Sequence, residues 1–138
     1  MLSVGQIGQI IRMSNLCVCD SGQPYADCCQ PILTGAPAPS AEALMRSRFT
    51  AYVEGDTDYL LKSWHATTRP PAIELNPKQK WLGLKIKAVG QQEGEHFVEF
   101  VARFKIDGRG HRLHERSRFV QEQGQWYYLD GELKDSSR

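Results

Sequence analysis

The chain has no long apolar run, no excess of either charge and no cysteine beyond position 29, and each absence removes a class of protein. Among its 138 residues no stretch approaches the roughly 18 apolar residues of a membrane-spanning helix, because Lys, Glu or Gly breaks every candidate. The protein is expected to be soluble, with no membrane partner. Seventeen Lys and Arg stand against sixteen Asp and Glu, so no overall field draws the chain to nucleic acid or anionic lipid. The N-terminal MLSVGQIGQIIRMSN lacks the basic start and unbroken apolar core of a secretory signal, since Gly5, Gln6, Gly8 and Gln9 interrupt it. Ser14, Asn15 and Leu16 lack the small-residue pattern that precedes a lipidated cysteine. These absences point to the cytoplasm. Met13 directly precedes the cysteines, and residues 1–13 read as a flexible N-terminal extension.

What is present is concentrated. Cys17-Val-Cys19, eight intervening residues and Cys28-Cys29 place all four cysteines within thirteen residues. In a reducing compartment such a cluster reads as a thiolate metal site rather than a disulfide framework, and four sulfurs match the closed tetrahedral shell of structural zinc. Iron–sulfur ligation is the main competitor, and unligated structural or redox thiols are the plain alternative. Ser21-Gly22 and Pro24 suit a tight turn that brings the second pair back to the first. Adjacent side chains diverge, so Cys28 and Cys29 need the first turn of a short helix to converge on one ion. One structural zinc ion is therefore expected on Cys17, Cys19, Cys28 and Cys29. A segment this short cannot offset its own conformational entropy, so metal binding and local folding should be coupled.

The body follows a Pro- and Gly-rich stretch, PILTGAPAPS, read as a linker over 33–39 between a knuckle over 14–32 and a domain over 40–138. Ser40 caps a predicted helix ending near Gly55, with apolar positions at Met45, Phe49, Tyr52 and Val53. Asp56 caps a second one carrying Leu60, Leu61 and Trp64, and Arg69-Pro70-Pro71 ends any helical run. From Trp81 the period becomes two: Leu82, Leu84, Ile86 and Ala88 alternate with Gly83, Lys85 and Lys87. Val98, Phe100, Ala102, Phe104 and Ile106 give a second apolar face. Asp107-Gly108 and Gln123-Gly124 supply turns before HRLHERSRFVQ and WYYLD. Helices followed by an antiparallel four-strand meander make the fold α+β.

Pairing 104 with 113 and 119 with 128 would put Glu115, Ser117 and Asp130 on the core face and set Glu99 across from Arg118 on the solvated face. Buried carboxylates need partners or shifted pKa values. Glu115, Ser117, Asp130 and His65 are thus candidate pocket residues, with Arg46 and Arg48 as further partners for the carboxylates. A structural hydrogen-bond network is the alternative role.

The spacing C-x-C-x(8)-C-C, with Ser21-Gly22 in its loop, resembles the SEC-C motif at the C-terminus of the SecA translocation ATPase. It departs from that motif at Asp20, where Gly is usual, and in a loop without lysines. The stretches LMRSRFTAYVEGDTDYLLKSWH, WLGLKI, VEFVARF, ERSRF and GQWYYLDG resemble the YchJ family of small bacterial SEC-C proteins. That resemblance implies a SEC-C zinc knuckle joined to an NTF2-like cone of helices packed on a curved sheet. It assigns no activity. The leading expectation is a non-enzymatic zinc-binding protein whose knuckle contacts an unknown protein partner, with Val18, Tyr25 and Ile32 as contact residues. Small-molecule binding or catalysis in the cone cavity is the second expectation. Nucleic-acid binding is disfavoured by the acidic residues interspersed among Arg103, Arg109, Arg112, Arg116 and Arg118.

Overall fold

A computed structural model describes residues 15–134, so the extension expected over 1–13 and the last four residues lie outside the described residues. In chain order a 3-10 turn (Tyr25–Asp27) leads into α1 (Cys29–Leu33), α2 (Ala41–Glu54) and α3 (Thr57–Lys62). Four strands follow: β1 (Gln79–Gln92), β2 (Glu95–Ile106), β3 (Arg109–Glu122) and β4 (Gln125–Leu133). Among the described residues no helix is long and apolar enough to cross a membrane.

Both long-range helices start where a side chain accepts an orphan backbone N–H. Ser40 accepts from the amide of Ala43, and Asp56 accepts from that of Tyr59. Gly55 ends α2 in the left-handed region, at φ 75°, where a residue with a Cβ is strained. The buried face of α2 carries Leu44, Met45, Phe49 and Ala51. Val53, expected on that face, is 39% exposed because the helix presents positions 45, 48, 49 and 52 to the sheet instead.

The strands form one antiparallel meander in the order β1-β2-β3-β4. Each hairpin turns on two residues with positive φ: Glu93-Gly94, Asp107-Gly108 and Gln123-Gly124. This geometry matches the strand twist and lets pairing run to the loop. Asp107-Gly108 therefore sets Ile106 opposite Arg109 and Phe104 opposite His111, two residues away from the expected pairing of 104 with 113. A shift of two leaves the faces unchanged, so Val98, Phe100 and Ala102 still point inward. The pairing of Phe119 with Tyr128 is as expected.

Bulges alter the rest. In β1 the register slips at Leu82 and Lys87, so Trp81, Leu84 and Ile86 face the core while Leu82 is 51% exposed and Ala88 is also exposed. In β4 a slip after Tyr128 places Asp130 opposite Arg118, and the expected Ser117–Asp130 pairing becomes Ser117–Gly131. The core joins Leu44, Phe49 and Leu60 of the helices to Leu84, Val98 and Phe119 of the sheet. Burial of each such side chain is worth about 1.5–3 kcal/mol relative to exposure. Trp81 packs against this core, with its ring 5.7 Å from that of Phe49 and 5.1 Å from that of Phe104.

Candidate metal centre and cone cavity

The loop after Cys17 closes on itself first. Leu16 bridges Pro24, the Cys17 amide donates to the Gln23 carbonyl, and Gly22 takes φ 85° to make the reversal. The 3-10 turn then delivers Cys28 to the N-cap of α1, whose first residue is Cys29. The two adjacent sulfurs converge because the chain changes from an irregular cap to helix between them, and they lie 3.9 Å apart. Cys19 and Cys28 sulfurs are 3.6 Å apart, and all four sulfurs lie within 4.8 Å of one another. Cys17, Cys19 and Cys29 are buried, and Cys28 is half-buried.

This cluster fits a metal ion by geometry and by donor chemistry. A tetrahedral ion with sulfur bonds of about 2.3 Å needs sulfurs about 3.8 Å apart, close to the separations seen. Crowding the thiols polarises them: hydrogen bonds from Cys19 and Cys29 hold the Cys17 thiol far below the usual thiol range. Burial pushes the Cys28 thiol up to about 11, and the bonds to Cys17 and Cys19 push Cys29 further up. A cation satisfies the sulfurs that such proton sharing satisfies only unevenly. Outer donors are in place as well. The Ser21 hydroxyl is 3.1 Å from the Cys28 sulfur, Thr50 donates its hydroxyl to Cys29 at 3.2 Å, and Arg46 Nη1 stands 4.0 Å from the Cys19 sulfur.

The knuckle is clamped to the body. Arg46 Nη1 donates to the Cys19 carbonyl at 2.7 Å, and Asp20, itself at φ 64°, accepts the Leu84 amide of β1 at 2.9 Å. Gly83 permits that approach, since a Cβ there would stand 3.1 Å from the Asp20 carboxylate. Tyr25 and Ile32, expected as contact residues, pack against the core, whereas Val18 and Leu16 stay exposed at 45% and 43%.

The second feature is a cavity of about 180 Å³ between α2 and the sheet. Met45, Arg48, Phe49 and Tyr52 form its helical wall, and Trp81, Phe100, Ala102, Leu113, Glu115, Ser117 and Tyr128 form the sheet wall. Of the expected pocket residues, Glu115 and Ser117 line it, with the Ser117 hydroxyl donating to Glu115 at 2.6 Å. The Glu115 carboxylate lies over Gly131, where a Cβ would stand 2.6 Å from its Cδ.

Asp130 and His65 are corrections. The β4 bulge turns Asp130 to the outer face, where Arg118 grips it with bonds of 2.7 and 2.6 Å and holds its carboxylate below the usual range. His65 lies outside the cavity, bonded to Thr67 and Glu122. The expected Glu99–Arg118 pair is also replaced: Glu99 bonds His114, and Arg118 bonds Glu95 and Asp130. Arg46 turns to the knuckle, leaving Arg48 as the cation of the cavity. Arg48 is 2% exposed and donates to the Leu60 carbonyl and the Ser63 hydroxyl, with Tyr128 4.3 Å from its guanidinium carbon. The sequence signals Tyr52 and Trp81 only as apolar positions; α2 brings Tyr52 to the cavity, and the β1 bulge brings Trp81.

A family model described as the YchJ middle NTF2-like domain matches residues 40–131, and the SEC-C motif model matches residues 13–31. A UPF0225 protein of Bordetella pertussis is 51% identical over 123 residues, covering 86% of this chain and 92% of that protein. One from Methylibium petroleiphilum is 53% identical over 121 residues, covering 83% and 88%. The solution structure of a SEC-C motif containing protein from Rhodopseudomonas palustris is similar at 36% identity and TM-score 0.77, covering 86% of this chain and 98% of that one. A crystal structure of a SEC-C motif containing protein from Psychrobacter arcticus is similar at 27% identity and TM-score 0.71, covering 88% and 84%.

Proposed function

The chain belongs to the YchJ family of SEC-C proteins with an NTF2-like domain, and from that premise we propose that it is a non-enzymatic zinc protein whose knuckle engages a protein partner. The observation that carries this reading is the four-sulfur cluster with hydroxyl and guanidinium donors set around it. Soft thiolate ligands in a tetrahedral arrangement favour zinc, and four protein ligands leave no coordination position for a reacting water. Such a site holds structure and does not perform hydrolysis. A four-thiolate metal site is at home in a reducing compartment, which supports a cytoplasmic location. Leu16 and Val18, exposed beside the ligands on a segment clamped to the domain, offer the partner a small rigid apolar rim.

Elemental analysis of protein purified under reducing conditions is expected to give one zinc per chain, lost in Cys28→Ser/Cys29→Ser. Iron in place of zinc, or four freely titratable thiols without metal, overturns the zinc assignment. A partner that binds wild type and is lost both on zinc removal and in Val18→Asp supports the binding role; a partner insensitive to both removes it. The buried Arg48 in an aromatic cavity favours a second reading, small-molecule binding in the cone.

A further inference from the structure

Arg48 is an expensive residue to place where it is. Burying a guanidinium without a paired anion forfeits several kcal/mol of hydration, and hydrogen bonds recover only part of that cost. At 2% exposure Arg48 has two neutral acceptors, the Leu60 carbonyl and the Ser63 hydroxyl, both on Nη1. Among the described residues no carboxylate forms an ion pair with it, although Arg46, two residues earlier, has Glu42 at 3.0 Å. Its guanidinium also stacks on the rings of Tyr128 and Trp64, 4.3 and 5.1 Å from their centroids, contacts that supply no counter-charge, and Arg48 lines the cavity. Across that cavity Glu115 carries the opposite charge, with one oxygen engaged by Ser117. The cavity thus has a cation on its helical wall, an acceptor on its sheet wall, and aromatic or aliphatic surfaces such as Tyr52, Trp81 and Leu113 around them.

Size narrows the ligand further. A cavity of about 180 Å³ is slightly larger than the roughly 150 Å³ cavity known to hold one benzene molecule. Its interior takes one ring with small substituents. We propose that the cone cavity binds a single-ring aromatic carboxylate bearing a hydrogen-bond donor, with its carboxylate on Arg48 and its donor on Glu115. Charge-assisted bonds at both ends orient the ring, and the apolar wall between them supplies contact area. The inference rests on the cavity reading and adds to it the charge and size of the ligand.

The test titrates the zinc-loaded full chain with 4-aminobenzoate, benzoate, benzamidine and toluene, following the backbone amides of Ala102, Leu113 and Glu115 by NMR. The expected order is 4-aminobenzoate, then benzoate, then toluene, with benzoate roughly tenfold tighter than toluene and benzamidine silent. Glu115→Gln erases the advantage of 4-aminobenzoate over benzoate while benzoate still binds. Arg48→Lys weakens benzoate at least about tenfold, because an ammonium cannot reproduce the planar fork. Leu113→Trp, a change at a half-buried wall position, abolishes binding of every probe and keeps Arg48 intact, so the assignment is decided even where an Arg48 variant does not fold. Toluene binding as tightly as benzoate, or benzamidine binding better, overturns the aromatic-acid assignment and leaves a cavity of another specificity. No probe shifting the cavity amides overturns both.

Discussion

Thr50 follows Arg46 by one helical turn, and the two side chains leave α2 on the same side to reach the sulfur cluster. Thr50 stands 3.2 Å from the Cys29 sulfur and 3.7 Å from that of Cys17. A hydroxyl donating to a ligand sulfur stabilises the thiolate, and loss of such outer partners typically lowers metal affinity 10- to 100-fold. Thr50→Val, which keeps the branched shape, is expected to weaken the metal roughly tenfold in chelator competition and to leave the fold intact. Unchanged affinity would make Thr50 a packing residue only. Gly131 gives a second residue-scale prediction. Its missing side chain is the space occupied by the Glu115 carboxylate, so Gly131→Ala should cost about 1–3 kcal/mol in denaturant unfolding. Glu115→Ala in the same chain should recover most of that loss, giving a coupling energy above about 0.5 kcal/mol in the double-mutant cycle. Additive effects would mean that the two positions do not meet.

At the level of elements, β3 and β4 are locked by Arg118, which bonds Asp130 across the strand pair and Glu95 on β2. The bonds from Arg118 lower the Asp130 pKa, so this pair stabilises the fold above the ordinary aspartate pKa near 3.9. That stability is lost as pH falls through the lower folded value. Both side chains are more than two-fifths exposed, so solvent screening keeps the effect small. Asp130→Asn is expected to destabilise by less than about 1 kcal/mol at pH 7, to do so less in high salt, and to match wild type in strong acid. A difference that persists unchanged into acid would locate the effect in packing. The same strand pair shows where sequence reading stopped. The cysteine cluster, both helix caps and the turns at Asp107-Gly108 and Gln123-Gly124 were legible because each depends on residues close in the chain. The bulges at Leu82, Lys87 and Leu129 leave no comparable local mark, since they arise from how two strands settle against each other. One extra residue in β4 moved Asp130 out of the cavity, and one in β1 exchanged Leu82 for Trp81 at its wall. Glu115 and Ser117 remained in place because β3 is regular across that stretch.

Across the whole molecule, α2 serves both sites. Arg46 and Thr50 face the cysteines, while Met45, Arg48, Phe49 and Tyr52 face the cavity on the other side of the same fourteen-residue helix. The knuckle also grips β1 through Asp20, so its two anchor points lie on the two layers that enclose the cavity. An ion that orders the sulfurs therefore stabilises the contact between helix and sheet as well as the knuckle itself, because metal bound only by the native state adds its binding free energy to folding. Removing the metal with a chelator under reducing conditions should lower the melting temperature by several degrees. Hydrogen exchange distinguishes how far the loss spreads. If the knuckle alone melts, the Leu84 amide, whose acceptor is Asp20, loses protection while the interior of α2 keeps it. If the metal braces the domain, protection also falls along α2 from Arg46 to Tyr52. The second pattern is expected, because Arg46 and Thr50 bond the ligand segment from the middle of that helix. Loss confined to residues 15–33 and Leu84 would show that the knuckle rides on a domain that stands without it.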